Sequence, residues 1–93
     1  MEEFVDRDAD YERWLAAHPH GFVVNTTRSP SAGYLVLHAS TCRTISGQPA
    51  NGKSWTHDYI KVCADAVSEL DRWAQSITGG GQIHRCGLCH PTA

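Results

Sequence analysis

"YLVLHASTC", residues 34–42, decides how the rest of this 93-residue chain is read. Residues 34–38 are nearly all apolar, which predicts a short buried strand. The strand ends at His38, and Cys42 follows four positions on, so the chain can turn there and bring both side chains to one point. Sheet and candidate metal site are therefore read together.

Working back from this strand, "RSPSAG" (28–33) is a turn sequence and "GFVVNTT" (21–27) is a second short β-branched run. The two runs make an antiparallel hairpin. Further upstream, "DADYERWLAAH" (8–18) predicts a helix: Tyr11, Trp14 and Leu15 form one apolar stripe, and Asp8 or Asp10 is positioned to cap the first turn. Pro19 stops it and Gly21 supplies the bend.

Downstream, "SGQPANGKS" (46–54) is a loop by composition. "YIKVCA" (59–64) predicts a third strand, with Tyr59, Lys61 and Cys63 on one side and Ile60, Val62 and Ala64 on the other. "DAVSELDRWAQSI" (65–77) is an amphipathic helix in which Val67, Leu70, Trp73, Ala74 and Ile77 repeat at helical spacing, with Asp65 as its cap. "TGGGQ" (78–82) ends it. The resulting order is a single α+β domain spanning 1–93: a small antiparallel sheet of about three strands, two flanking helices and a C-terminal Cys-x2-Cys zinc knuckle.

That knuckle lies in "HRCGLCHPTA" (84–93), where Cys86 and Cys89 bracket Gly87 and Leu88. Zinc takes four N or S donors in a tetrahedron, which a chain usually supplies as two close pairs. Cys86 and Cys89 are one pair, and His38 with Cys42 are the other. The expected cofactor is one structural Zn2+, with binding energy that is also folding energy. Cys63 reads as a small core residue and is the reserve ligand, followed by His84 and His90. A redox dithiol is the first rival, but no helix follows the motif to lower a thiol pKa. A disulfide framework is the second, permitted by four cysteines and opposed by a cytoplasmic reading. That compartment is expected because the sequence shows no cationic, apolar leader and no run of membrane-spanning length.

Composition bounds the function. The chain is 41% apolar and 19% charged with a formal charge of −2, which describes a folded domain and not a strongly basic nucleic-acid binder. Charge is unevenly placed, however: residues 1–19 carry −4 and residues 20–93 carry +2. No Gly-rich phosphate loop and no acid–base setting for a serine or threonine is present, so no enzyme activity is expected.

The x3-spaced pair in "HASTC", followed by "CGLCHP", resembles the N-terminal metal-binding domain of the Ada DNA-repair family. The resemblance implies a small sheet with helices, a zinc ion held by Cys-x3-Cys and Cys-x2-Cys pairs, and contact with DNA phosphates. His38 stands where that family has the cysteine that is both ligand and methyl acceptor, so a metal scaffold is implied without the alkylation chemistry. "HGFVVN", "LHASTC" and "CGLCHP" are also similar to accessory domains of bacterial restriction or nuclease proteins, which adds a repair, restriction or defence context.

The expected function is therefore a zinc-stabilised module that recognises DNA. Its candidate surface is Asn25, Arg28, Arg43, Lys53, Trp55, His57 and Lys61, with the bases engaging phosphates and Trp55 and His57 stacking on an exposed base. The alternative partner is a protein, bound as by a regulator or inhibitor through the acidic first helix with Tyr11 and Trp14 as anchors.

Overall fold

The computed structural model describes residues 1–47 and 54–91. In chain order the elements are β1 (Glu2–Phe4), α1 (Asp8–Ala17), β2 (Phe22–Thr27), β3 (Leu35–Ala39), β4 (Tyr59–Ala64), α2 (Val67–Thr78) and β5 (His84–Arg85). They build an α+β domain around one sheet with strand order β1-β4-β2-β3-β5. The three strands expected from the sequence are its centre. The sheet has five strands rather than about three, and it is mixed rather than antiparallel, because β5 runs parallel to β3. The added strands are three and two residues long. Runs that short carry no readable alternation, and tertiary pairing creates them.

The sheet is buried on both faces. In β4, Ile60, Val62 and Ala64 point one way and Lys61 and Cys63 the other, and all five are buried. On the first face, Val24, Leu35, Leu37, Ile60 and Val62 meet Val67, Leu70, Trp73 and Ala74 of α2. On the second, Phe4, Val23 and Cys63 meet Tyr11 of α1, Ile45 and Trp55. Registers place Glu2, Cys63, Val23 and His38 in one row across β1, β4, β2 and β3 on that second face.

Neither helix is capped as its sequence suggests. The N-cap of α2 is Ala66, while Asp65 instead meets His18 at 2.9 Å. Asp8 is the first residue of α1, and its carboxylate turns away from the helix to accept from Ser54 Oγ, Trp55 N, Thr56 N and Thr56 Oγ1 at 2.5–3.0 Å. Gly79 ends α2 in the left-handed region at φ 70°, as the glycine run predicts. Gly21 is needed for space, since a Cβ there would sit 2.6 Å from the Trp14 ring. Among the described residues no helix is long and apolar enough to cross a membrane.

Candidate metal centre

His38 is the penultimate residue of β3, on the face that α1 covers. Past it the chain folds sharply, with Cys42 N donating to Ala39 O at 2.9 Å and Ile45 N to Cys42 O at 3.2 Å. Ser40 clamps this turn to the helix end: its N donates to Gly21 O at 3.0 Å and its Oγ to His18 O at 2.6 Å. Ile45 is 2% exposed, and its carbonyl accepts from the buried Tyr11 hydroxyl at 2.6 Å. The loop that presents Cys42 is therefore pinned at both ends.

The second pair arrives on β5. Val36 pairs with His84 and Leu37 with Arg85, so one further step brings Cys86 alongside His38. Cys86 N donates to Leu37 O at 2.8 Å, and His90 N closes the turn onto Cys86 O at 3.0 Å. One donor atom from each of His38, Cys42, Cys86 and Cys89 then lies within 4.8 Å of all the others. Bonds of about 2.0–2.3 Å to a tetrahedral ion would separate the donors by roughly 3.5–3.8 Å, so these four could hold a metal ion after small side-chain adjustments.

The surroundings suit a cation. Cys42 Sγ lies 3.0 Å from Thr44 Oγ1, Cys86 Sγ accepts from Leu88 N at 3.3 Å, and Cys89 Sγ accepts from Ala39 N at 3.4 Å. Each sulfur thus has at least one hydrogen-bond partner able to stabilise a thiolate. Burial raises the Cys86 thiol, but the N–H groups of Cys89 and Leu88 outweigh it and leave it below its usual range. Burial and the nearby Cys42 push Cys89 up to about 11. Three thiols this close cannot all ionise without a positive charge among them. Burial, with help from Lys61, lowers His38 to about 4 and leaves a neutral imidazole able to ligate. Thr44 Oγ1 also lies 3.4 Å from His38 Nδ1, so one hydroxyl serves two donors. Sequence reasoning missed Thr44; its position two residues beyond Cys42 is the only signal it leaves.

The reserve ligands stand apart from this group. Cys63 is fully buried in the α1-side core, and desolvation raises its thiol. His84 and His90 are exposed.

The proposed nucleic-acid residues are scattered by the fold. Trp55 and Lys61 are 6% and 3% exposed, so neither offers a ring or a charge to a ligand at the surface. Trp55 packs against Tyr11, with centroids 6.3 Å apart, and its Nε1 has no hydrogen-bond partner among the described residues. Lys61 Nζ donates to Trp55 O at 2.5 Å, and burial lowers it to about 8. Arg28 and His57 are exposed, but both engage Asp6, at 2.9 Å and 2.8 Å. Their hydrogen bonds hold that carboxyl near 2. Asn25 is half-buried, with Nδ2 donating to Tyr34 Oη at 3.4 Å and Oδ1 without a partner among the described residues. Arg43 is exposed, and Lys53 lies outside the described residues. Tyr11, a suggested protein-binding anchor, is fully buried, and Trp14 stacks on His18 with centroids 4.2 Å apart.

No family model, curated protein or solved structure matches this chain.

Proposed function

We propose that the chain is a zinc-stabilised binding module, non-catalytic at its metal, whose ligand class is nucleic acid. The convergence of His38, Cys42, Cys86 and Cys89 within 4.8 Å carries this reading. Three thiolates and an imidazole are the donor set of structural zinc sites, and four protein donors leave no position for a reactive water. The ion would fasten the C-terminal segment to β3. The Ada-like resemblance agrees in kind, since it rests on the same four positions.

Nucleic acid is favoured by where charge is absent. All ten acidic residues fall within 2–12 and 58–71, so residues 13–57 and 72–93 hold none. A protein partner bound through α1 has lost its aromatic anchors, because Tyr11 and Trp14 are engaged within the fold.

Native mass spectrometry of freshly purified protein tests the metal. One zinc per chain is expected, lost on Cys42→Ser or Cys86→Ser and retained on His84→Ala or His90→Ala. Less than half an equivalent in the unaltered protein, with a thermal midpoint indifferent to chelator, contradicts it.

A further inference from the structure

We infer that the metal centre is a peroxide-sensitive switch: Cys89 is oxidised first, Cys86 closes a disulfide onto it within their own turn, and the tail is released with the ion. This rests on the zinc reading above and adds a condition under which that zinc would be given up.

Burial ranks the four donors. His38 and Cys42 are 6% and 4% exposed, and Cys86 is 9% exposed. Cys89 is half-buried, and of the four it alone lines a groove of about 330 Å³, together with His20, Thr41 and His90 among others. One water takes up roughly 30 Å³, so an oxidant of two oxygen atoms fits there. Oxidation of a cysteine follows its thiolate character and its access. In a zinc-loaded site all three sulfurs are thiolates and access separates them, so Cys89 reacts first.

Backbone geometry chooses its partner. Cys86 and Cys89 share one closed turn, with His90 N donating to Cys86 O at 3.0 Å. A single helix-like turn sets residues three apart with Cβ atoms about 5–6 Å from each other, a small movement from the roughly 4 Å that a disulfide needs. Cys42 is held differently. Its loop is clamped by Ser40 and by the Tyr11 hydroxyl on Ile45 O, and its Sγ lies 3.0 Å from Thr44 Oγ1.

The step balances with hydrogen peroxide as the oxidant. The Cys89 thiolate attacks one peroxide oxygen: an S–O bond forms, the O–O bond breaks, and the departing hydroxide takes a proton from solvent. The Cys86 thiolate then attacks Cys89 Sγ: an S–S bond forms, the S–O bond breaks, and a second hydroxide is protonated. Two thiolates lose two electrons, and one peroxide becomes two waters. His38 and Cys42 are left as donors, too few for a site that takes four. A Cys86–Cys89 disulfide makes no link from the tail to β3, so 83–91 keeps the two residues of β5 and the bond from Cys86 N to Leu37 O. A thiol reductant returns the two electrons and, with zinc, the closed form.

The test treats the zinc-loaded full chain with hydrogen peroxide in molar excess, reads zinc release with a colorimetric indicator, and maps thiols by alkylation and peptide mass spectrometry. About one zinc per chain should leave as a disulfide joins Cys86 to Cys89, while Cys42 and Cys63 are recovered alkylated. Dithiothreitol with zinc should reverse both changes. Hydrogen exchange should rise over 83–91 in the oxidised protein. Cys89→His keeps a set of four N and S donors without a second sulfur in the turn, and should hold its zinc about tenfold longer or more under the same peroxide. Cys42→His keeps both turn sulfurs and should release zinc as the unaltered protein does. Less than about half an equivalent of zinc in the untreated protein removes the zinc reading, and the switch with it. If zinc is bound and stays bound through peroxide, or leaves without a Cys86–Cys89 disulfide, the zinc reading stands and the switch is overturned. Should either histidine variant fail to take up zinc, the map of the unaltered protein decides alone.

Discussion

Lys61 stands in the middle strand run of the chain and reads there as a surface charge, because a lone lysine in a six-residue apolar segment usually is one. Register decides otherwise. It faces Asn25 across β2 and Phe4 across β1, under α1 and Trp55, and the only hydrogen bond its Nζ makes among the described residues is to Trp55 O. Burial lowers its pKa from the usual 10.5 to about 8. Between those values the unfolded chain binds more protons than the folded one, so stability rises with pH there and is lowest below 8. Above about 9 the buried Cys63, which stays protonated when folded, offsets this rise as its unfolded thiol ionises. Urea melts of the zinc-loaded protein should therefore gain about 1 kcal/mol more between pH 8 and 9 than those of Lys61→Met, whose remaining rise comes from the zinc-bound thiolates that take up protons on unfolding. Equal gains in the two proteins would show that the ammonium is solvated.

At the scale of elements, legibility followed length and pattern. Strands β2, β3 and β4 are five or six residues long and mostly apolar or β-branched, and helix α2 repeats its apolar positions over three turns, so local sequence determines them. Strands β1 and β5 depend wholly on neighbours, and the acidic look of Glu2–Phe4 conceals an edge strand that charge in fact protects from further pairing. The cluster of His38, Cys42, Cys86 and Cys89, which could hold a metal ion, was legible because ligand spacing is a local property, whereas Thr44, Trp55 and Lys61 take their environments from chain packed across the sheet. Caps failed for a similar reason. Asp8 and Asp65 each found a tertiary partner and left the helix ends bare, with no side-chain cap on either. Ala66 already has extended geometry, φ −126° and ψ 132°, so Ala66→Asp or Ala66→Ser should cap α2 and add about 1 kcal/mol. In a domain of this size that raises the thermal midpoint by roughly 4–8 °C. An unchanged midpoint in both variants would mean that the first-turn N–H groups are satisfied by solvent at no cost.

For the whole molecule, the two faces of the sheet divide the work. The α2 face closes over Val24, Leu35, Leu37, Ile60, Val62, Leu70 and Trp73, and among the described residues draws only Ile83 from beyond α2. The α1 face includes Cys42, Cys86 and Ile45, and Cys89 packs against it, so its packing depends on segments that the metal would join. β5 has two residues and one neighbour, which is too little to hold a tail by itself. Removing metal should therefore act unevenly. Hydrogen exchange after chelation should show loss of amide protection over 83–91 and 40–47, while Val24, Val62 and Leu70 keep theirs, because local opening is set by the contacts each segment retains. Returning zinc should restore both segments together, since one ion holds them. Cys89→Ser should mimic chelation at 83–91 even with zinc present. If chelation instead strips protection from Val24, Val62 and Leu70 in step with the tail, the ion is an obligate part of folding and the α2 face is not an independent core. If nothing changes, the tail is held by β5 and packing alone, and the four donors meet without fastening anything.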